Sequence, residues 1–412
     1  MQLRDYQKEL AEKGLIKLRH LGLVYLSMEV RTGKTITALT IVDNYLSGNK
    51  KVLFITKKKA ISSIENDYKL VAPAYELDVI NYESLHKVKR HYDLIIIDEA
   101  HRLGSFPKPS KAAKQIKELF SNLPMIYLSG TPTPESYSQI YHQFWVSQRS
   151  PFSSYPSFYK WAKEFVNVTQ RHFAHGIVND YSQAKENAIK PIISPYFLSI
   201  TQSEAGFTSS VREHILTVPL KDTTIRVINK LKRDNIVQGK SDVILADTAV
   251  KVMSKTHQLC SGTAIGESGK VILLDYSKAE FIHNYFQGQK IAIFYKFSGE
   301  LELLKQTYGE HLTTDLEEFN STSKSIALQI VSGREGISLK AASVLVYFNI
   351  DFSAVSYWQS RDRLTTKERS KNDIYWIFSE GGIEHNIYKA VQAKKDYTLS
   401  HFRRDERTAV PI

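Results

Sequence analysis

The sequence predicts an α/β protein of two lobes, each a parallel sheet flanked by helices, and three observations lead there. First, short apolar runs rich in β-branched residues read as strands buried on both faces: "GLVYLS" (22–27), "KVLFIT" (51–56), "LIIIDE" (94–99) and "MIYLSG" (125–130). Second, amphipathic stretches lie between them. In "KTITALTIVDNYLSG" the apolar residues Ile36, Leu39, Val42 and Leu46 recur at helical spacing, and Gly48 marks the stop. Third, the alternation returns late in the chain, in "KIAIFYKF", "SIALQIVS", "VLVYFNI" and "IYWIFS", with helical stretches at 277–287, 354–364 and 383–400. Strand–helix alternation of this kind builds open parallel sheets.

The strand rhythm stops between 137 and 212, where aromatic and polar residues read as helices and loops extending the first lobe. The expected division is therefore 1–212 for the first lobe, with 137–212 its helical, aromatic-rich extension, and 213–412 for the second. Rings at helical spacing between Tyr137 and Phe165 are expected to pack a core rather than stack on bases.

Composition narrows the function classes. Of 412 residues 42% are apolar and 24% charged, ordinary for a soluble globular protein. No run approaches 18 apolar residues, so no membrane span is expected. "MQLRDYQKEL" lacks the features of a signal peptide, which makes a cytoplasmic location the expectation. Cys260 is the sole cysteine, excluding an intrachain disulfide and a cysteine-based metal cluster. His172 and His175 have no third ligand at a suitable spacing, and a surface segment is the expected reading. Lysine and arginine exceed the acids 55 to 43, a net charge of +12 that suits a polyanion such as nucleic acid.

Three segments carry chemistry. "MEVRTGKT" (28–35) follows a strand and opens a helix, where backbone amides and the helix dipole can meet a phosphate. Gly33 would admit a close backbone approach, Lys34 would reach the β- and γ-phosphates of ATP, and Thr35 would ligate Mg²⁺. The full phosphate-loop pattern wants glycine where Met28 stands, so a basic helix start is the competing reading. "LIIIDEAH" (94–101) puts two acids at the mouth of a buried strand, where open α/β sheets bind ligands. Asp98 could hold Mg²⁺ through its water shell and Glu99 could act as general base, or both could cap the next helix. "YLSGTP" (127–132), at another strand end, reads as a hinge beside the nucleotide or as a plain turn.

Taken in order along the chain, these segments resemble the motifs of superfamily 2 helicases and translocases. "LRDYQ" is similar to that family's adenine-reading motif, with Gln7 as the adenine contact and Arg4 beside it. "MEVRTGKT" resembles motif I, Thr32 included, "DEAH" motif II and "SGTP" motif III. "VSGREGISLKAASVLVYFN" resembles motif V, with Gly336 and Leu339 in matching positions and Arg334 near the cleft. "YWQSRDRL" resembles motif VI, with Gln359 and Arg363 at the family's spacing. The resemblance implies two RecA-like lobes closing on ATP, with Arg363 stabilising charge on the transferred phosphoryl group. The family's second motif VI arginine is replaced by Thr366, leaving Arg361 or Arg369 as substitutes.

Non-glycine residues at the first motif I position occur in the SWI/SNF-like branch. Stretches such as "PIISPYFLSITQSEAGF" (191–207) and "THQLCSG" (256–262) are also similar to that branch, in its compact bacterial or phage form. That branch implies ATP and Mg²⁺ as cofactors and tracking on duplex DNA, with single-stranded or forked DNA as alternatives and RNA less favoured. Protein partners are left open. Lys57, Lys58 and Lys59 in "TKKKA" occupy a motif Ia-like position suited to backbone phosphates, or form a solvated basic loop. Two other readings stand beside this one: a DEAH-type strand-separating helicase, and a nucleotide-gated DNA-binding scaffold with little turnover.

Overall fold

The computed structural model describes residues 2–29, 31–88, 91–173, 176–206, 210–239, 242–330, 339–353, 356–357 and 371–393. The chain forms two compact units, Met1–Phe207 and Thr208–Ile412. The division falls after Phe207 rather than Arg212, because the strand that follows already pairs within the second unit.

The first unit opens with helix α1 (Asp5–Leu21), stopped by Gly22 at φ +66°. It continues through β1 (Leu23–Met28), α2 (Lys34–Tyr45), β2 (Lys51–Thr56), α3 (Ile61–Val71), β3 (Glu76–Asn81) and β4 (Leu94–Asp98). Then come α4 (Lys111–Phe120), β5 (Met125–Leu128), α5 (Gln139–Trp145) and α6 (Phe158–Phe165). The hairpin β6 (Thr169–Phe173) and β7 (Gly176–Asp180), α7 (Glu186–Ile193) and β8 (Phe197–Ile200) complete it. The sheet order is β3-β2-β4-β5-β1-β8 and every pairing is parallel.

Alternation along each strand feeds two cores. Leu23 and Tyr25 of β1 join the cluster under α4, α5 and α6, whereas Val24, Leu26 and Met28 join the cluster under α1, α2 and α3. Each fully buried aliphatic side chain contributes about 1.5–3 kcal/mol relative to exposure, which is why these runs are apolar throughout.

The segment 137–212 differs from its expected helix-and-loop character at two places. "FLSI" is a strand, β8, that pairs with β1 from Tyr25↔Phe197 to Met28↔Ile200 and closes that edge of the sheet. Residues 169–180 form the β6–β7 hairpin, which holds His172, while His175 lies outside the described residues. Tyr141, Phe144, Phe152, Phe158, Trp161 and Phe165 are buried against one another in the core on that face.

The second unit starts with β9 (Ser210–Val218), α8 (Asp222–Asp234), the pair β10 (Ile236–Gln238) and β11 (Val243–Leu245), and α9 (Ala249–Cys260). A second small pair, β12 (Thr263–Ile265) and β13 (Val271–Leu273), precedes α10 (Ser277–Tyr285), β14 (Ala292–Tyr295) and α11 (Ser298–Tyr308). It ends with β15 (Leu312–Thr313), α12 (Leu316–Ser321), β16 (Ser325–Gln329), β17 (Leu345–Tyr347), β18 (Lys371–Ser379) and α13 (Glu384–Gln392). Its parallel sheet runs β15-β16-β14-β17-β18-β9. Alternation again serves two cores: Phe294, Tyr347 and Trp376 face one, Ile293, Val346 and Ile377 the other.

Candidate nucleotide site

Sheet order places the candidate site. β4, β5 and β1 are neighbours, with Leu26, Leu128 and Asp98 level in the register. The segments that leave their carboxyl ends are therefore adjacent: the loop before Lys34, the "DEAH" turn and the "SGTP" loop.

Met28 is the last residue of β1 and fully buried in the core. The position that usually carries glycine is here part of the sheet, and the turn is made further on. Arg31 takes φ +64° and Gly33 φ +81°, so Gly33 caps α2 in the left-handed region. A Cβ on Gly33 would lie 2.3 Å from Gln7 Nε2, so the Gln7 amide would have to shift to admit it. Thr32 is buried, its hydroxyl donating to the Glu29 carbonyl at 2.7 Å.

The loop is braced from α1. Gln7 is buried and its Oε1 accepts from the Arg4 amide at 3.0 Å, while its amide nitrogen covers Gly33. Arg4 Nη1 donates to Tyr6 Oη at 3.1 Å, and Tyr6 donates to the Thr32 carbonyl at 2.9 Å. The "LRDYQ" segment and the "MEVRTGKT" loop, joined between Tyr6 and Thr32 at a separation of 26 residues, thus form one hydrogen-bonded assembly.

The Lys34 ammonium donates to the carbonyls of Met28 at 2.9 Å and Glu29 at 3.2 Å. Thr35, the second residue of α2, is half-buried. Asp98 ends β4 and its Oδ2 accepts from Thr56 Oγ1 at 2.8 Å; Tyr82 donates to the Asp98 carbonyl at 2.5 Å. Burial, then the neighbouring Glu99, push the Asp98 carboxyl up to about 6, against the opposing pull of Thr56 and Lys34. A half-buried carboxylate raised in this way gains from any cation brought beside it.

Glu99 stands in the left-handed region at φ +51°, a conformation costing a non-glycine residue about 1–3 kcal/mol. Its Oε2 lies 3.2 Å from His101 Nδ1, and the same nitrogen is 3.0 Å from Ser129 Oγ. Ser129 Oγ also accepts from the Thr131 amide at 3.1 Å. The acid of "DEAH" is thereby linked through one imidazole to the first residue of "SGTP".

Lys57, Lys58 and Lys59 follow β2 directly, Lys57 half-buried and the other two exposed. Arg334, Gly336, Gln359, Arg361, Arg363 and Arg369 lie outside the described residues. Sequence reasoning missed Tyr6, Thr56 and Tyr82, although Tyr6 sits inside "LRDYQ" and Thr56 immediately precedes "KKK".

Among known proteins, the sequence model of the SNF2-related domain matches residues 32–263. An uncharacterized ATP-dependent helicase of Mycoplasma pneumoniae is 22% identical, over 97% of this chain and 42% of its own length. The human SWI/SNF-related matrix-associated actin-dependent regulator of chromatin subfamily A member 1 is 20% identical, over 83% of this chain and 35% of its own. The chain spans less than half the length of these curated relatives. Among solved structures, the ATP-dependent Type ISP restriction-modification enzyme LlaBIII bound to DNA matches with a TM-score of 0.52 at 12% identity. That match covers 100% of this chain and 31% of the enzyme, a likeness of fold.

Proposed function

The chain belongs to the SNF2-related family, and from that premise we propose that it is an ATPase stimulated by DNA and moving along duplex DNA. The observation that carries the reading is the meeting of Lys34, the Asp98–Glu99 pair and Ser129 at the ends of three adjacent strands. The triphosphate of ATP docks at the start of α2, where Gly33 leaves no side chain in the way. Lys34 exchanges two neutral carbonyls for phosphate oxygens, a stronger charge-assisted partner. Gln7, already seated on Gly33, reads the adenine edge.

Thr35 and Asp98 offer the hard oxygen donors that Mg²⁺ prefers, and the shielded Asp98 carboxylate fits such an ion. Bound there, Mg²⁺ would supply neutralising charge to the phosphates. Glu99 takes the proton of the attacking water, and His101 fixes the orientation of its carboxylate. Arg363, with Gln359, is assigned to the charge that develops on the transferred phosphoryl group. Lys57, Lys58, Lys59 and Arg334 are assigned to DNA phosphates.

A strand-displacement assay tests the reading. With ATP, the chain should displace the third strand of a triplex on a plain duplex, and Glu99→Gln should not. Unwinding of a forked duplex without triplex displacement would favour a strand-separating helicase instead.

A further inference from the structure

Gln143 belongs to none of the motifs above, yet it bonds to one of them and to the strand that leads into another. It lies fully buried in α5, on the aromatic-rich side of the first sheet. Its Nε2 donates to the Pro132 carbonyl of the "SGTP" loop at 2.8 Å and to the Gln139 carbonyl at 3.1 Å. Its Oε1 accepts from the Tyr25 hydroxyl at 2.7 Å, on β1 shortly before the phosphate loop. Gly104, three residues past His101, packs close to the same helix: a Cβ there would lie 2.7 Å from the Gln139 carbonyl and 2.9 Å from Gln143 Nε2. A neutral amide offers donor and acceptor together, which is what a carbonyl on one side and a phenol on the other require. Within the loop itself, the Thr131 hydroxyl is buried without a hydrogen-bond partner among the described residues. The loop is held at the Thr131 amide by Ser129 and at the Pro132 carbonyl by Gln143.

We infer that Gln143 is a positioning residue for ATP hydrolysis, tying the "SGTP" loop to β1. By fixing Pro132 it keeps Ser129 within reach of His101, and through His101 it steadies Glu99. The inference rests on the reading of this site as an ATPase.

Two variants of the full chain test it. Gln143→Leu preserves volume and removes all three bonds; Tyr25→Phe removes the one from β1. ATP turnover with saturating duplex DNA, KM for ATP and affinity for a fluorescent non-hydrolysable ATP analogue are measured on each. The expected result is a kcat lower by about tenfold in Gln143→Leu and about threefold in Tyr25→Phe, with KM and analogue affinity within about twofold. A lowered melting temperature with kcat intact, or a changed KM in place of a changed kcat, means a packing role and overturns the inference. If Gln143→Leu does not fold, Gln143→Met, which also lacks the amide, takes its place, because the Tyr25 hydroxyl bonds to Ser129 as well as to Gln143. An active unaltered chain with indifferent variants sinks this inference and leaves the ATPase reading standing. An unaltered chain that turns over no ATP with any polymer removes both.

Discussion

Gly33→Ala isolates what the phosphate loop requires, because the structure holds a matched control. Gly33 and Gly48 sit at nearly the same left-handed conformation, φ +81° and +80°. Alanine at either position costs about 1–2 kcal/mol of backbone strain. At Gly48 nothing among the described residues lies within 4 Å of the added Cβ, so the cost ends there. At Gly33 the Cβ would meet Gln7 Nε2 at 2.3 Å, so the amide must leave its place and release the Arg4 amide it holds at 3.0 Å. That bond adds about 1 kcal/mol. A nucleotide needs the undistorted loop, so affinity in Gly33→Ala should fall by about thirtyfold to a hundredfold, the equivalent of 2–3 kcal/mol. Thermal unfolding should show both variants destabilised, while titration with a fluorescent ATP analogue should show lost affinity in Gly33→Ala alone. Equal affinities for the two variants would refute the role given to Gly33 and Gln7.

Lys34→Ala should weaken nucleotide binding by at least about tenfold, measured by the same titration, since it removes the charge facing the phosphates. Glu99→Gln should retain nucleotide binding but lower turnover by about a hundredfold, the usual contribution of a general base. Replacing Lys57, Lys58 and Lys59 with alanine should weaken duplex DNA binding and flatten its salt dependence by about 0.9 in slope per lost phosphate contact. His142 is buried, donates to the Ser105 carbonyl at 2.6 Å and is held by burial down at about 4. The unfolded chain therefore binds its proton first as pH falls, and stability declines between pH 6.5 and about 4, by roughly 3 kcal/mol at full effect. His142→Phe should melt with a shallower pH dependence across that window.

The strands that sequence reasoning found are those buried on both faces. "KVLFIT" and "LIIID" form central strands and must be continuously apolar, which makes them conspicuous. β3, "ELDVIN", lies at the sheet edge with its residues only half-buried, so it carries no such run. β8 was hidden for another reason: "FLSI" is short and sits in polar surroundings, and its strand character comes from pairing with β1. At the site, the residues that touch phosphate or metal in the proposed mechanism stand in compact motifs and were legible. Those that orient them were not. Thr56, Tyr82, Tyr25 and Gln143 make contacts between residues far apart in sequence, at spacings set only by the sheet order. Met28 shows the converse: its departure from the phosphate-loop pattern is explained by burial at the end of β1.

The most direct test of the central claim is ATP hydrolysis by the chain with no polymer, duplex DNA, single-stranded DNA and RNA in parallel. Duplex DNA should stimulate turnover most strongly, and Glu99→Gln should lower that stimulated rate by about a hundredfold. Stimulation by RNA alone, or no turnover with any of the four, would contradict it.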